Sequence, residues 1–122
     1  DNDDRIILTF LAMVIDIETR RPTISNGMGG LSGPAIRPIA VRSVYQIRAA
    51  LPDIAILGMG GIRNGGDALE FFAAGANAVS VGTAIFADPT APLRIQQELA
   101  AELEDRAVTR LSDVISIAHQ EL

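Results

Sequence analysis

The strongest constraint in this chain is a repeated succession. A run of aliphatic residues without polar alternation ends in glycines, and a helix-forming stretch follows. "IAILGMG" (54–60) leads into "GIRNGGDALEFFAAG", and "NAVSVGT" (77–83) leads into "AIFADPTAPLRIQQELAAELEDR". A run that is apolar at every position is the pattern of a strand buried on both faces. Such strands separated by helical segments make βαβ units with parallel strands. "RIILTF" (5–10) is a third run of this kind, and "AMVIDI" (12–17) extends it. The fold class expected is α/β, with a parallel sheet of three main strands and flanking helices. Two architectures fit: a doubly wound sheet, or a piece of a (β/α)8 barrel. A complete barrel takes about 250 residues, so a chain of 122 holds less than half of one.

The helices can be placed by their punctuation. "ETRRP" turns the chain, and "TISNGMGGLSG" is loop with room for one short strand. From Pro38, Ala40, Val44, Ile47 and Leu51 form one stripe at helical spacing, and Pro52 stops it. Asn64 caps a helix whose third position is Asp67, with Leu69, Phe72 and Ala73 toward the core and Gly75 as its stop. Leu93, Leu99 and Leu103 are the apolar positions of a long helix, and "EDR" (104–106) is part of its charged face. Ser112 caps a last short helix carrying Val114, Ile115 and Ala118.

Composition narrows the function classes. A net charge of −5 argues against a general nucleic-acid binder. With no cysteine, disulfides, zinc-thiolate sites and cysteine nucleophiles are excluded. No apolar run approaches the ~18 residues of a membrane span, and "DNDDR" is the opposite of a basic signal-peptide start. A cytoplasmic protein is the expectation.

The chemistry available lies in the glycines. Gly29, Gly30 and Gly33, then Gly58, Gly60 and Gly61, then Gly82 before Thr83 stand at strand ends or in the loops after them. Ligands of parallel α/β proteins bind at that edge. Backbone N–H groups from neighbouring strand ends can converge on one anion, and Thr83 adds a hydroxyl. One glycine loop alone is only a tight turn; two in succession point to a phosphate. Arg63 reads as a solvated surface arginine, and His119 as a surface or packing residue. Asp16 and Glu18 bracket a turn, facing solvent or Arg20 and Arg21. Met59 is expected to pack beneath the strand end. No metal-ligand spacing and no catalytic acid, base or nucleophile can be assigned.

"MVIDIETRRP", "GGLSGPAIRP", "GMGGI", "GDALEFFAAGA" and "AVSVGTA" resemble, in order and spacing, the C-terminal part of class 1B dihydroorotate dehydrogenases. Those are FMN-containing (β/α)8 barrels of pyrimidine biosynthesis. The resemblance runs from Ile6 to Phe86 and more loosely beyond. "GMGGI" with "VGTA" is shared by many phosphate-binding barrels, whereas "GGLSGPAIRP" is far more specific. It implies that the three strands are barrel strands six, seven and eight. It implies that Gly33, Gly60, Gly61, Gly82 and Thr83 match FMN contacts, mainly around the phosphate, and that Ile7 lies beside the flavin. Ser32 sets the turn.

Two departures matter. The family has Asn-Thr at the end of strand six, where the asparagine binds the dihydroorotate ring. Here the pair is Leu8-Thr9, so only Thr9 of that substrate pair is kept. The neighbouring "GMAID" reads "AMVID". The family's catalytic base loop and flavin-contacting lysine belong to the part before strand six, which this sequence does not include. The expectation is an FMN- or phosphate-binding piece of an oxidoreductase, binding FMN weakly and inactive alone. Against it stand a structural fragment that self-assembles without ligand and a phosphate-binding protein with an unrelated partner. Self-association as a homodimer or higher is expected, because Ile7, Leu57 or Ile56, and Val79 or Val81 would face an absent barrel interior. A complementary barrel fragment is the other candidate partner.

Overall fold

A computed structural model describes residues 11–120 of the chain; the strand expected over 5–10, with Ile7, Leu8 and Thr9, lies outside them. The chain divides into two units, Asp1–Leu31 and Ser32–Leu122.

In the first unit, β1 (Leu11–Ala12) pairs antiparallel with β4 (Gly29–Gly30), and β2 (Ile15–Asp16) with β3 (Arg21–Pro22). "AMVIDI" is therefore not one continuous strand. It breaks at Met13–Val14, and the chain reverses after Asp16. The Asp16 carboxylate, in the solvent-exposed turn, accepts from the Glu18 N–H at 2.9 Å, and among the described residues it makes no ion pair with Arg20 or Arg21. An aspartate that hydrogen-bonds its own backbone two residues on is a turn former. The short strand allowed for in "TISNGMGGLSG" is β4.

The second unit carries α1 (Arg37–Ala50), β5 (Leu57–Met59), α2 (Gly65–Ala74), β6 (Ala78–Ser80), α3 (Ala84–Ala87) and α4 (Ala91–Asp105). β5 and β6 are parallel, with Leu57 opposite Ala78, Gly58 opposite Val79 and Met59 opposite Ser80. This is the expected strand–helix–strand unit. The Asn64 side chain caps α2 by accepting from the Asp67 N–H at 2.8 Å. Gly75, at φ 126°, ends α2 and returns its N–H to the Phe71 and Phe72 carbonyls.

Strand alternation decides which side chains face the helices. Gly58 and Val79 share one face, and a Cβ on Gly58 would lie 2.7 Å from the Phe71 ring. Leu57 and Met59 point the other way and are each 55% exposed. Met59 therefore does not pack beneath the strand end. Of the residues expected on an uncovered sheet face, Leu57 is on it. Ile56 is buried in the core, and Val79 and Val81 pack against that core.

The core runs from Val44 on α1 through Ile56 and Ile62 to Ala68, Phe71 and Phe72 on α2, and to Ala91 and Ile95 on α4. Two helical stripes are rotated from their expected positions. On α2, Ala68, Phe71 and Phe72 are buried while Leu69 and Ala73 are half-buried. On α4 the inward residues are Ala91, Ile95 and Leu99, spaced at i, i+4 and i+8, while Leu93 is 60% exposed. Gly65 sets this rotation. A Cβ there would collide with the α4 backbone at Glu98 and Leu99, so the two helices touch at that point without an intervening side chain.

Leu51, just past the end of α1, is exposed, and the buried Arg48 occupies the base of the helix. Its guanidinium donates to the Gly75 carbonyl (3.1 and 2.9 Å), the Pro52 carbonyl (2.6 Å) and Asn77 Oδ1 (2.8 Å). The C-terminal segment forms two 3-10 turns, Leu111–Asp113 and Ile117–His119, instead of a helix capped by Ser112. They are separated by Ser116 at φ 66°, whose N–H donates to the Phe72 carbonyl at 2.9 Å. His119 stacks on Tyr45 and its Nε2 donates to the Ala74 carbonyl at 2.7 Å, which makes it a packing residue.

Candidate functional site

Three loops of the second unit meet at one cavity of about 340 Å³, lined by Gly33, Gly61, Ile62, Thr83, Ala84 and Arg94 among others. They are the turn before α1, the loop after β5 and the segment after β6. The glycines that sequence reasoning singled out do different things there. Gly61, at φ 69°, is the crossing point: a Cβ on it would sit 2.6 Å from the Gly33 carbonyl oxygen and 3.0 Å from Arg37 Cβ. Only glycine lets these two loops approach so closely. Gly33 faces Thr83, whose Cγ2 would lie 4.0 Å from a Cβ there. Gly60 adjoins the cavity, and its bare Cα makes room for Ala40 and Ile36. Gly82 is exposed, with no heavy atom within 4 Å of where its Cβ would be. Ile7, Leu8 and Thr9 lie outside the described residues.

Backbone donors without acceptors belong to several residues that line this cavity. Among the described residues, the N–H groups of Gly61, Ile62, Thr83 and Ala84 have no protein acceptor. Unpaired N–H groups on successive loop residues are the usual means of holding an anion through the main chain. The charged side chains are paired off instead. Arg63 is half exposed and joins Arg37 on the buried carboxylate of Asp67 (3.3 and 3.1 Å). Arg94 lies between Asp88 (3.0 Å) and Glu98 (2.6 Å). The Thr90 hydroxyl, and next the Arg94 guanidinium, hold the exposed Asp88 carboxyl below its ordinary value of 3.8. The Asp88–Arg94 pair is in place above that value and is lost only as pH falls through the lowered one. The same pairing raises Arg94. Among the described residues no cluster of three His, Cys, Asp or Glu is placed to hold a metal, and no helix is long and apolar enough to cross a membrane.

Sequence reasoning missed Asp88 and Arg94 as parts of this wall, and Asp67 as the carboxylate that holds Arg37 and Arg63. The "DPT" at 88–90 is a local signal, since Asp88 accepts from the Thr90 N–H and hydroxyl (3.0 and 2.6 Å). Nothing local signals the reach of Arg94 to the Arg63 carbonyl, 31 residues away.

The family profile described as "Dihydroorotate dehydrogenase" matches residues 4–103. The chain belongs to the dihydroorotate dehydrogenase family. A Solibacter usitatus protein provisionally named dihydroorotate dehydrogenase A (fumarate) is 52% identical over 110 residues, covering 90% of this chain and 36% of the relative. The dihydroorotate dehydrogenase B (NAD(+)) catalytic subunit of Citrifermentans bemidjiense is 50% identical over the same shares. A crystal structure of the Eimeria tenella enzyme in complex with ferulenol superposes with a TM-score of 0.74 at 28% identity, covering 90% of this chain and 30% of that one. The chain thus spans about a third of the length of its dihydroorotate dehydrogenase relatives, and its fold is part of their barrel.

Proposed function

We propose that this chain is the FMN- and phosphate-binding part of a dihydroorotate dehydrogenase-like oxidoreductase of pyrimidine biosynthesis. The carrying observation is the cavity where three glycine-bearing loops meet, lined by residues whose backbone N–H groups have no acceptor among the described residues. Its donors suit a phosphate, and Gly82 leaves open space beside them. Gly33, Gly61 and Thr83 line the site, with Gly60 and Gly82 flanking it. Arg37 and Arg63 are matched by Asp67 and Glu70, and Arg94 by Asp88 and Glu98, so the phosphate charge falls to the main chain. FMN, when bound, supplies the acceptor for the hydride of a dihydropyrimidine. The residues of this chain hold its phosphate end. Leu8 in place of the family's asparagine removes a polar contact to the substrate ring, and no residue of this chain matches the family's catalytic base or flavin-contacting lysine; for both reasons together the chain alone is inactive toward dihydroorotate. The exposed Leu57 and Met59 face is assigned to the remainder of the barrel or, without it, to a second copy.

Size-exclusion chromatography with light scattering and flavin absorbance tests this reading. Expected are weak FMN retention, a mass above the monomer, and no orotate formed from dihydroorotate over an FMN-only blank. Gly82→Val places a Cβ where, among the described residues and its chain neighbours aside, no heavy atom lies within 4 Å. Its fold should survive and its FMN retention should vanish. A ligand-free assembly, or equal FMN affinity in wild type and Gly82→Val, sinks the reading.

A further inference from the structure

We infer that Arg94 is a positioning residue for the anion cradle: it fastens the loop after β5 from outside, without supplying charge to the ligand. The inference rests on the phosphate site proposed above.

Arg63 is held at both ends of its backbone by side chains from two different helices. Its N–H donates to Asp67 Oδ2 on α2 at 3.0 Å. Its carbonyl accepts from Arg94 Nη2 on α4 at 2.9 Å. The residues just before it, Gly60 and Gly61, are both at positive φ and have the widest backbone freedom in the loop. Pinning Arg63 is therefore what fixes the direction of the Gly61 and Ile62 N–H groups.

Arg94 itself has little charge to spare. Nε donates to Asp88 Oδ2 at 3.0 Å, and Nη1 to both oxygens of Glu98 at 2.6 and 3.1 Å. Two carboxylates on one guanidinium leave no net positive charge for a phosphate. Asp88 closes the segment that begins at Thr83, so one side chain ties the loop after β5 to the segment after β6. These are the two stretches that carry the unpaired donors. Holding a recognition shell by packed, hydrogen-bonded support is how a site keeps its geometry before ligand arrives. Lysine is a single-point donor on a flexible stem and does not span three acceptors.

The test uses Arg94→Ala and Arg94→Lys in the full chain, with Arg106→Ala as control. Arg106 makes an i,i+4 pair of the same kind with Glu102, and among the described residues its side-chain hydrogen bonds all go to Glu102 and none to the loops. Amide exchange is read without flavin, and affinity is then compared for FMN and riboflavin, which lacks the phosphate. In Arg94→Ala, exchange over residues 60–64 should quicken about tenfold. The preference for FMN over riboflavin should fall about tenfold, the loss of one charge-assisted hydrogen bond. Arg94→Lys should recover only part of both, and Arg106→Ala should change neither. If Arg94→Ala does not fold, Arg94→Lys decides on the same two readouts. Wild-type exchange and FMN preference in both Arg94 variants overturn the inference. Arg94-dependent exchange in a wild type that binds no FMN overturns the proposed function and keeps Arg94 as the fastener of the loop.

Discussion

Phe71→Ala is expected to lower the unfolding free energy by about 3–5 kcal/mol. That is a large share of the ~5–15 kcal/mol that holds a domain together. The ring is 0% exposed and sits where β5 passes α2, against Gly58 and the side chain of Ala76. The packing makes a second, sharper expectation. Gly58→Ala in the native background drives its Cβ to 2.7 Å from the Phe71 ring and 3.2 Å from Ala76 Cβ, and should cost about 1–3 kcal/mol. In the Phe71→Ala background the same methyl enters vacated space. The double variant should therefore be more stable than the sum of the two losses by at least about 1 kcal/mol. Urea unfolding of the four proteins closes the cycle. Strict additivity would show that Gly58 and Phe71 are not in contact.

Arg48→Ala should cost about 3 kcal/mol, by a different route. The guanidinium is the common donor for the Gly75 and Pro52 carbonyls and for Asn77 Oδ1. Removing it strands acceptors at the ends of α1 and α2, and buried acceptors without partners cost about 1–3 kcal/mol each. The loss of the aliphatic stem adds packing. Arg48→Lys should recover less than half, because one ammonium cannot reach acceptors on three sides. Denaturant melts of the three proteins measure this, and full recovery by lysine would remove the geometric part of the argument. Asn77 also accepts from the Ile56 N–H at 2.9 Å, so the arginine reaches β5 through it.

The parts of this molecule legible in the sequence are those decided within a few residues. The Asn64 cap, the Gly75 stop and the parallel β5–α2–β6 unit follow from local chemistry and from apolar runs. The glycine at Gly61 was singled out from its cluster alone, although the groups that crowd it, Gly33 and Arg37, lie 28 and 24 residues away. Helix rotation was less accessible. The two adjacent phenylalanines of α2 leave the stripe free to centre on either, and the choice is made by Gly58 and Gly65, which lie on other elements or at the helix start. Met59 shows the same limit. A strand apolar on both faces has no internal mark of which face the helices cover, and the glycines at 58 and 60 settle it only once the register with β6 is known. The arginines were least legible. Arg48 and Arg94 look like ordinary polar positions of amphipathic helices, and the partners through which they tie distant elements together lie 27 to 31 residues away. The candidate site was thus readable in its glycines and unreadable in its wall.

The two ends of the second unit are wired in different materials. Around the cavity, Arg37, Arg63 and Arg94 are matched to the side chains of Asp67, Asp88 and Glu98, so the identity of each partner is written into the sequence. At the base, three of the four acceptors of Arg48 are peptide carbonyls, which every residue possesses. Leu51 and Pro52 can therefore change side chain and still serve Arg48, so long as the helix ends where it does. Variation at the base is confined by Arg48, Gly75 and Asn77, whereas a change at the cavity end needs a matching change of charge across the loops. Substitutions should accumulate singly at one pole and in compensating pairs at the other.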